Sequence, residues 1–136
     1  MPDSTKNRPL ALIIEDDDKL ATIFTNAVSM AGFEILLAED GRQGLEALKA
    51  RPPVLVLLDL HLPEVSGDRI LHAIRTDETL KSTTVILATA DSAMADFLTD
   101  KSDYVLQKPI SFIQLRDMAE RILQSFDDAA RDRGEK

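Results

Sequence analysis

The chain has 136 residues, carries 24 acidic against 16 basic side chains for a net charge of −8, and contains no cysteine. That length supports one domain with a real core and falls short of two. The charge argues against nucleic acid or an anionic membrane as a direct partner, and the missing thiols exclude disulfides, zinc-thiolate sites and cysteine nucleophiles. No apolar run approaches the roughly 20 residues that span a bilayer. Met1 to Arg8 are polar and lack the apolar segment of a signal peptide, so a cytoplasmic protein with a flexible stretch over 1–8 is expected. One Tyr, five Phe and no Trp leave little for stacking on bases. Met1 and the lack of a tag point to a complete protein.

The first strand is expected at Leu10 to Ile14, ending in Glu15-Asp16-Asp17-Asp18. Leu20, Ile23, Phe24, Ala27, Val28 and Ala31 then recur at helical spacing, and Gly32 stands where a C-cap glycine belongs. Asp17 and Asp18 read as helix caps or rim charges. Phe33 to Ala38 is a second strand. Asp40-Gly41 turns the chain into a second helix with Leu45 and Leu48 buried, and Arg51-Pro52-Pro53 stops it.

Val54-Leu55-Val56-Leu57-Leu58-Asp59 follows, an unbroken apolar run closed by a carboxylate. Such a run reads as a strand covered on both faces, in the middle of a parallel sheet. The next residues, Leu60 to Gly67, are punctuated by Pro63 and Gly67 and form a loop. A third helix is expected from about Ser66 to Arg75 on Ile70, Leu71 and Ile74. His72, between Leu71 and Ala73, reads as exposed. Thr76 to Thr83 is irregular. Val85 to Ala88 is a fourth strand leading into Thr89-Ala90-Asp91. Ala93 to Leu98 forms a fourth helix of barely two turns. Tyr104 to Leu106 is a fifth strand closed by Gln107-Lys108-Pro109. Ser111-Phe112-Ile113-Gln114 fits a capping box that opens the last helix, on Phe112, Leu115, Ala119, Ile122 and Phe126. The charged stretch 127–136 reads as a frayed helix end or a disordered tail.

Strand and helix alternate five times. That pattern implies right-handed crossovers and a three-layer α/β fold with a five-stranded parallel sheet between helices. In such a sheet all strand ends share one edge, the edge where ligands bind. It gathers Glu15 and Asp16, Asp59, Thr89 and Lys108. Three neighbouring carboxylates repel, each pair at about 4 Å by roughly 1 kcal/mol in water and about 4 at an effective dielectric of 20. A hard divalent cation such as Mg²⁺ suits an all-oxygen site, and Lys108 adds a second positive charge. Asp59 is then placed to attack a phosphoryl group, with both cations neutralising the transferring oxygens.

Ile14-Glu15-Asp16-Asp17, Leu57-Leu58-Asp59-Leu60-His61-Leu62-Pro63, Ser66-Gly67, Ala88-Thr89-Ala90 and Lys108-Pro109, in this order, resemble the receiver domain of two-component response regulators, especially the stand-alone chemotaxis type. The resemblance runs over 9–126. It implies a flavodoxin-like strand order 2-1-3-4-5, Asp59 as phosphoacceptor, and Mg²⁺ held by Glu15, Asp16, Asp59 and the backbone carbonyl of His61. Thr89 and Lys108 would contact the phosphoryl group, and the Lys108-Pro109 bond would be cis. His61 and Asp91 hold positions that tune phosphate loss in the family. The His61 side chain itself reads as a loop residue at the mouth of the site, not as a phosphohistidine or a ligand.

The implied partners are a sensor histidine kinase or phosphotransfer protein and a downstream protein target, with no output domain following in the sequence. Binding a protein as a terminal switch, passing phosphate on to another histidine, and acting as an unphosphorylated binding module all stay open. A homodimer through the face of helix 4, strand 5 and helix 5 is a further option. An aspartate phosphatase of the haloacid-dehalogenase type wants a second Asp where His61 stands. A flavin phosphate would be repelled by the acidic loop after the first strand.

The sequence departs from the family in one region. Receivers usually place a switching aromatic three residues before the lysine. Val105 is there, with Tyr104 one position earlier, and a one-residue shift reverses the face of a strand. Either a bulge returns Tyr104 to the usual face or the aromatic switch is absent. The segment 90–104 is also about three residues short and lacks the usual Gly-Ala, so a short, shifted or partly unwound fourth helix is expected.

Overall fold

The apolar runs expected to need cover on both sides receive it. All residues of β1 (Leu10–Ile14) and β3 (Leu55–Asp59) are buried in the computed structural model, which describes residues 8–132. With β2 (Glu34–Ala38), β4 (Thr84–Thr89) and β5 (Tyr104–Gln107) they form one parallel sheet in the order β2-β1-β3-β4-β5. The helices are α1 (Asp18–Ala31), α2 (Gly41–Ala50), α3 (Gly67–Thr76), α4 (Ser92–Leu98) and α5 (Phe112–Asp132).

Period-two alternation sorts the strand residues into two cores. Ile13, Leu57, Ala88 and Leu106 pack on one face with Phe24 and Val28 of α1 and Leu115 and Ala119 of α5. Leu12, Leu58 and Leu87 pack on the other with Leu48 of α2, Ile70 and Ile74 of α3, and Leu98 of α4. Each fully buried Leu or Ile contributes about 1.5–3 kcal/mol, so the strand ends sit on a rigid base.

Local signals act where they were expected. Asp17 caps α1 by accepting the Leu20 amide, and Gly32 ends it at φ 117°, a left-handed conformation suited to glycine. The Ser111 hydroxyl accepts the Gln114 amide at the start of α5. Ile23, placed on the apolar stripe of α1, is 40% exposed. The buried stripe centres on Ala21, Phe24, Ala27, Val28 and Ala31, and one residue of helix turns Ile23 away from it. α5 continues to Asp132, so the charged stretch is helical that far. The stretches 1–7 and 133–136 lie outside the described residues. No helix among the described residues is long and apolar enough to cross a membrane.

The shortened region takes a defined form. α4 has seven residues and gives way to a 3-10 turn at Thr99–Lys101. Arg75 of α3 braces the turn, donating to the Lys101 carbonyl at 2.9 Å and to Asp103 Oδ2 at 2.9 Å. The same Asp103 oxygen accepts the Val85 amide at 2.7 Å, tying the start of β4 to the approach of β5. Pairing then runs without a bulge from Ile86↔Tyr104 to Thr89↔Gln107. Tyr104 therefore shares a face with Leu106 on the α5 side, beside Ile122 and Phe126, and is 43% exposed. Val105 packs into the α3–α4 side. No bulge returns Tyr104 to the face of Val105, and it stands at the far end of β5 from Lys108.

Gly44 and Gly67 stand at close approaches of two different kinds. A Cβ on Gly44 would meet Ile14 Cδ1 at 2.6 Å, the movable end of a side chain. A Cβ on Gly67 would meet Leu60 Cα at 2.6 Å and the Asp59 carbonyl oxygen at 2.7 Å, both backbone. Gly67→Ala is expected to cost about 1–3 kcal/mol through overpacking. Gly44→Ala should cost less, because Ile14 can yield and Ala is favoured over Gly in a helix by about 1 kcal/mol. Urea melts of both variants check the order; equal stabilities would show that the loop after β3 is not pinned by Gly67.

Candidate functional site at the carboxyl edge of the sheet

Each candidate residue is held by a strand end. Glu15 follows β1, and its amide extends the ladder by donating to the Ala38 carbonyl at 3.1 Å. Asp59 closes β3, and the Leu60 amide beyond it donates to the Ala88 carbonyl at 3.1 Å. Lys108 follows β5, with its amide on the Thr89 carbonyl at 2.8 Å. The Lys108-Pro109 bond is cis.

The side chains converge. Lys108 Nζ is 3.3 Å from Glu15 Oε1 and 3.4 Å from Asp59 Oδ1. Carboxylate oxygens of Glu15, Asp16 and Asp59 lie within 4.8 Å of one another. Glu15 and Asp59 are buried, while Asp16 faces solvent. Two amides add partial positive charge: Asp17 N–H donates to Glu15 Oε2 at 3.2 Å and His61 N–H to Asp59 Oδ1 at 3.0 Å. One ammonium does not balance this many acids. Burial, followed by the hydrogen bond to and charge of Asp59, pushes the Glu15 carboxyl from 4.5 up to about 7, against the opposing pull of the Asp17 amide and Lys108. The donor set is all oxygen and short of positive charge, which fits a small hard cation such as Mg²⁺.

Thr89 lies next to this cluster, one residue beyond the Ala88 that pairs with Asp59. It is fully buried. Its hydroxyl accepts the Asp91 amide at 3.0 Å and lies 3.3 Å from His61 Nε2. Asp91 is exposed and uses Oδ1 to cap α4 at the Met94 amide, 3.1 Å away. His61 is exposed at the mouth and His72 is exposed on α3. The structure thus brings together Glu15, Asp16, Asp59 and Lys108, sets Thr89, His61 and Asp91 beside them, and leaves Tyr104 outside. The contact of the His61 ring with Thr89 was not visible in the sequence, since nothing local links residues on two different loops.

A parallel sheet of this order, with a buried aspartate, two further acids, a lysine and a buried threonine on its carboxyl edge, defines a receiver-type α/β domain. The response regulator receiver domain family matches residues 11–120, and the chain belongs to that family. Regulatory protein AtoC of Escherichia coli is 33% identical over 117 residues, covering 83% of this chain and 25% of AtoC. The polar-differentiation response regulator DivK of Brucella ovis is 31% identical over 85 residues, 62% of this chain and 69% of DivK. A CheY-like response regulator receiver domain from Methylobacillus flagellatus superposes with a TM-score of 0.75 at 26% identity, covering 85% of this chain and 98% of that one. The chain spans only a quarter of the length of AtoC.

The raised Glu15 carboxyl has a consequence for metal-free protein. An unfolded Glu loses its proton near 4.5 and folded Glu15 near 7. Between those values the folded state holds the extra proton, so the Glu15 contribution to stability falls as pH rises. Urea melts in chelator from pH 4.5 to 7.5 are expected to show this decline, and Glu15→Gln to flatten it. An unchanged slope in Glu15→Gln would place the excess charge elsewhere.

Proposed function

We propose that this receiver takes a phosphoryl group onto Asp59 and works as a phosphorylation-controlled switch. The observation that carries the reading is Asp59 itself, buried at the end of β3, 3.4 Å from Lys108 and within one cluster with Glu15 and Asp16. Glu15, Asp16, Asp59 and the backbone carbonyl of His61 would hold Mg²⁺, Asp16 more directly than Glu15. The bound ion supplies positive charge to the oxygens of the transferring group.

The protein's own groups do the rest. An Asp59 carboxylate oxygen attacks phosphorus, the bond from phosphorus to the donor breaks, and an acyl phosphate forms. With a phosphohistidine donor the imidazole leaves. Lys108 pairs with the phosphoryl oxygens, and the Thr89 hydroxyl donates to one of them. The later loss of phosphate, in which water attacks phosphorus and the bond to the Asp59 oxygen breaks to give inorganic phosphate and the free carboxylate, is tuned at the mouth by His61 and Asp91. Asp91 retains one oxygen for this while the other caps α4. The transfer is catalysed by the receiver's own site, with a sensor histidine kinase or phosphotransfer protein as donor.

A downstream protein reads the change, and a homodimer through α4, β5 and α5 is one form that reading can take. A relay is the second reading, favoured by the match of 113 residues of this chain to the Dictyostelium discoideum protein named hybrid signal transduction histidine kinase D. Transfer from Asp59 back to a partner histidine would identify the relay; phosphate-dependent binding without transfer would identify the terminal switch.

Incubation with acetyl phosphate and Mg²⁺ tests the site directly. The expected product is an acid-stable, hydroxylamine-labile mass increase that Asp59→Ala and metal removal both abolish. Lys108→Met is expected to slow uptake by about 10²–10³, the loss that follows removal of one charge-stabilising donor. Uptake that survives Asp59→Ala would place the acceptor elsewhere.

A further inference from the structure

We propose that His61 is a positioning residue for Thr89: its ring engages the Thr89 hydroxyl in the unphosphorylated protein, and a phosphoryl group on Asp59 must compete with it for that hydroxyl. This rests on the reading of Asp59 as acceptor and adds an opponent to it.

A threonine hydroxyl has one proton to give and two lone pairs. Thr89 is fully buried, so its hydroxyl is satisfied by protein contacts. One lone pair accepts the Asp91 amide at 3.0 Å. His61 Nε2 lies 3.3 Å from the same oxygen, and in the proposed arrangement it accepts the hydrogen bond that the hydroxyl donates. That assignment requires a bare lone pair on Nε2 and the ring proton on Nδ1. The Thr89 hydroxyl has only one proton. To donate it to a phosphoryl oxygen, Thr89 must give up His61.

The His61 ring is well placed for this. Its own amide donates to Asp59 Oδ1 at 3.0 Å. The preceding Leu60 is fixed from both sides, its amide on the Ala88 carbonyl at 3.1 Å and its carbonyl accepting the Gly67 amide at 3.2 Å. The loop therefore presents the ring to β4 from a fixed root. The ring itself is exposed, so water replaces it when it is removed and no cavity is left. One part-buried neutral hydrogen bond is a modest restraint, suited to setting a threshold and too weak to block the site.

The first measurement reads the resting protein. Long-range proton–nitrogen spectra of histidine-labelled protein, at a pH where the rings are neutral, give the tautomer of each histidine. There are two, and His61→Ala assigns them. The expected result is His61 with its proton on Nδ1, reverting toward the other tautomer in Thr89→Val. A proton on Nε2 overturns the proposal, because the ring would then donate to Thr89 and leave the hydroxyl proton uncommitted.

The second uses beryllofluoride with Mg²⁺ as the phosphoryl stand-in. His61→Ala is expected to tighten its binding about two- to tenfold, the worth of one net hydrogen bond. In a Thr89→Ala background His61→Ala should change nothing. An equal gain in both backgrounds, no gain, or weaker binding overturns the proposal. Wild-type protein that binds no beryllofluoride overturns the acceptor reading and the competition with it. The tautomer needs no phosphoryl mimic, so it tells that failure from a missing His61–Thr89 bond.

Discussion

Two buried carboxylates, Glu15 and Asp59, share one ammonium, and the rest of the molecule is what makes that arrangement tenable. At the distances involved each like-charge pair is worth about 4 kcal/mol at an effective dielectric of 20, enough to push soft loops apart. These acids are not on soft loops. A main-chain hydrogen bond just past each strand end holds it: Glu15 to Ala38, Leu60 to Ala88, and Lys108 to Thr89. The ladder is thus extended by one rung at the three places where charge is concentrated. Burial first, and then the hydrogen bond to and charge of Asp59, keep a proton on Glu15 below about pH 7, and a divalent cation would release it.

That rigidity comes from the sheet being buried on both faces. β1 leads into Glu15 and β3 ends in Asp59; every residue of both strands is buried, which is why their sequences are all apolar until the carboxylate. The chain changes from core to site within one residue, from Leu58 to Asp59. Gly67 keeps the return loop against that point, because its missing side chain lets α3 begin almost in contact with Leu60. Packing and chemistry are therefore joined at the loop after β3. A substitution there disturbs both.

The elements, the edge they share and the acids on that edge were legible in the sequence, because each depends on local pattern: apolar runs, helical spacing, Asp17 and Gly32 as caps, and Pro52 and Pro63 as stops. Order of the strands came from the family likeness. What could not be read were facts about neighbours far apart in the chain. The exposure of Ile23 depends on where α5 and the sheet leave α1 uncovered. The face of Tyr104 depends on the register of β5 against β4, which is set by Asp103 bonding to Val85 across 18 residues. Arg75 reaches Asp103 across 28 residues, and His61 reaches Thr89 across 28. None of these pairs leaves a mark in its own sequence window.

The same contacts suggest why the short α4 is compatible with a receiver site. Val105, and not an aromatic, stands on the α3–α4 side of β5. A different chain of contacts is in place. Thr89 is bonded to the Asp91 amide, and the Asp91 carboxylate caps α4 at Met94. Thr89 and the first turn of α4 are therefore two hydrogen bonds apart. At the other end of α4 the 3-10 turn is held to α3 through Arg75, so the helix is tethered at one end to the site and at the other to the scaffold. A helix of seven residues has few backbone bonds of its own, and its end bonds weigh more in its stability than they would in a longer helix. Length and tethering act together: in this chain the shortness of α4 gives its cap at Asp91, next to Thr89, a larger share in holding the helix to the site.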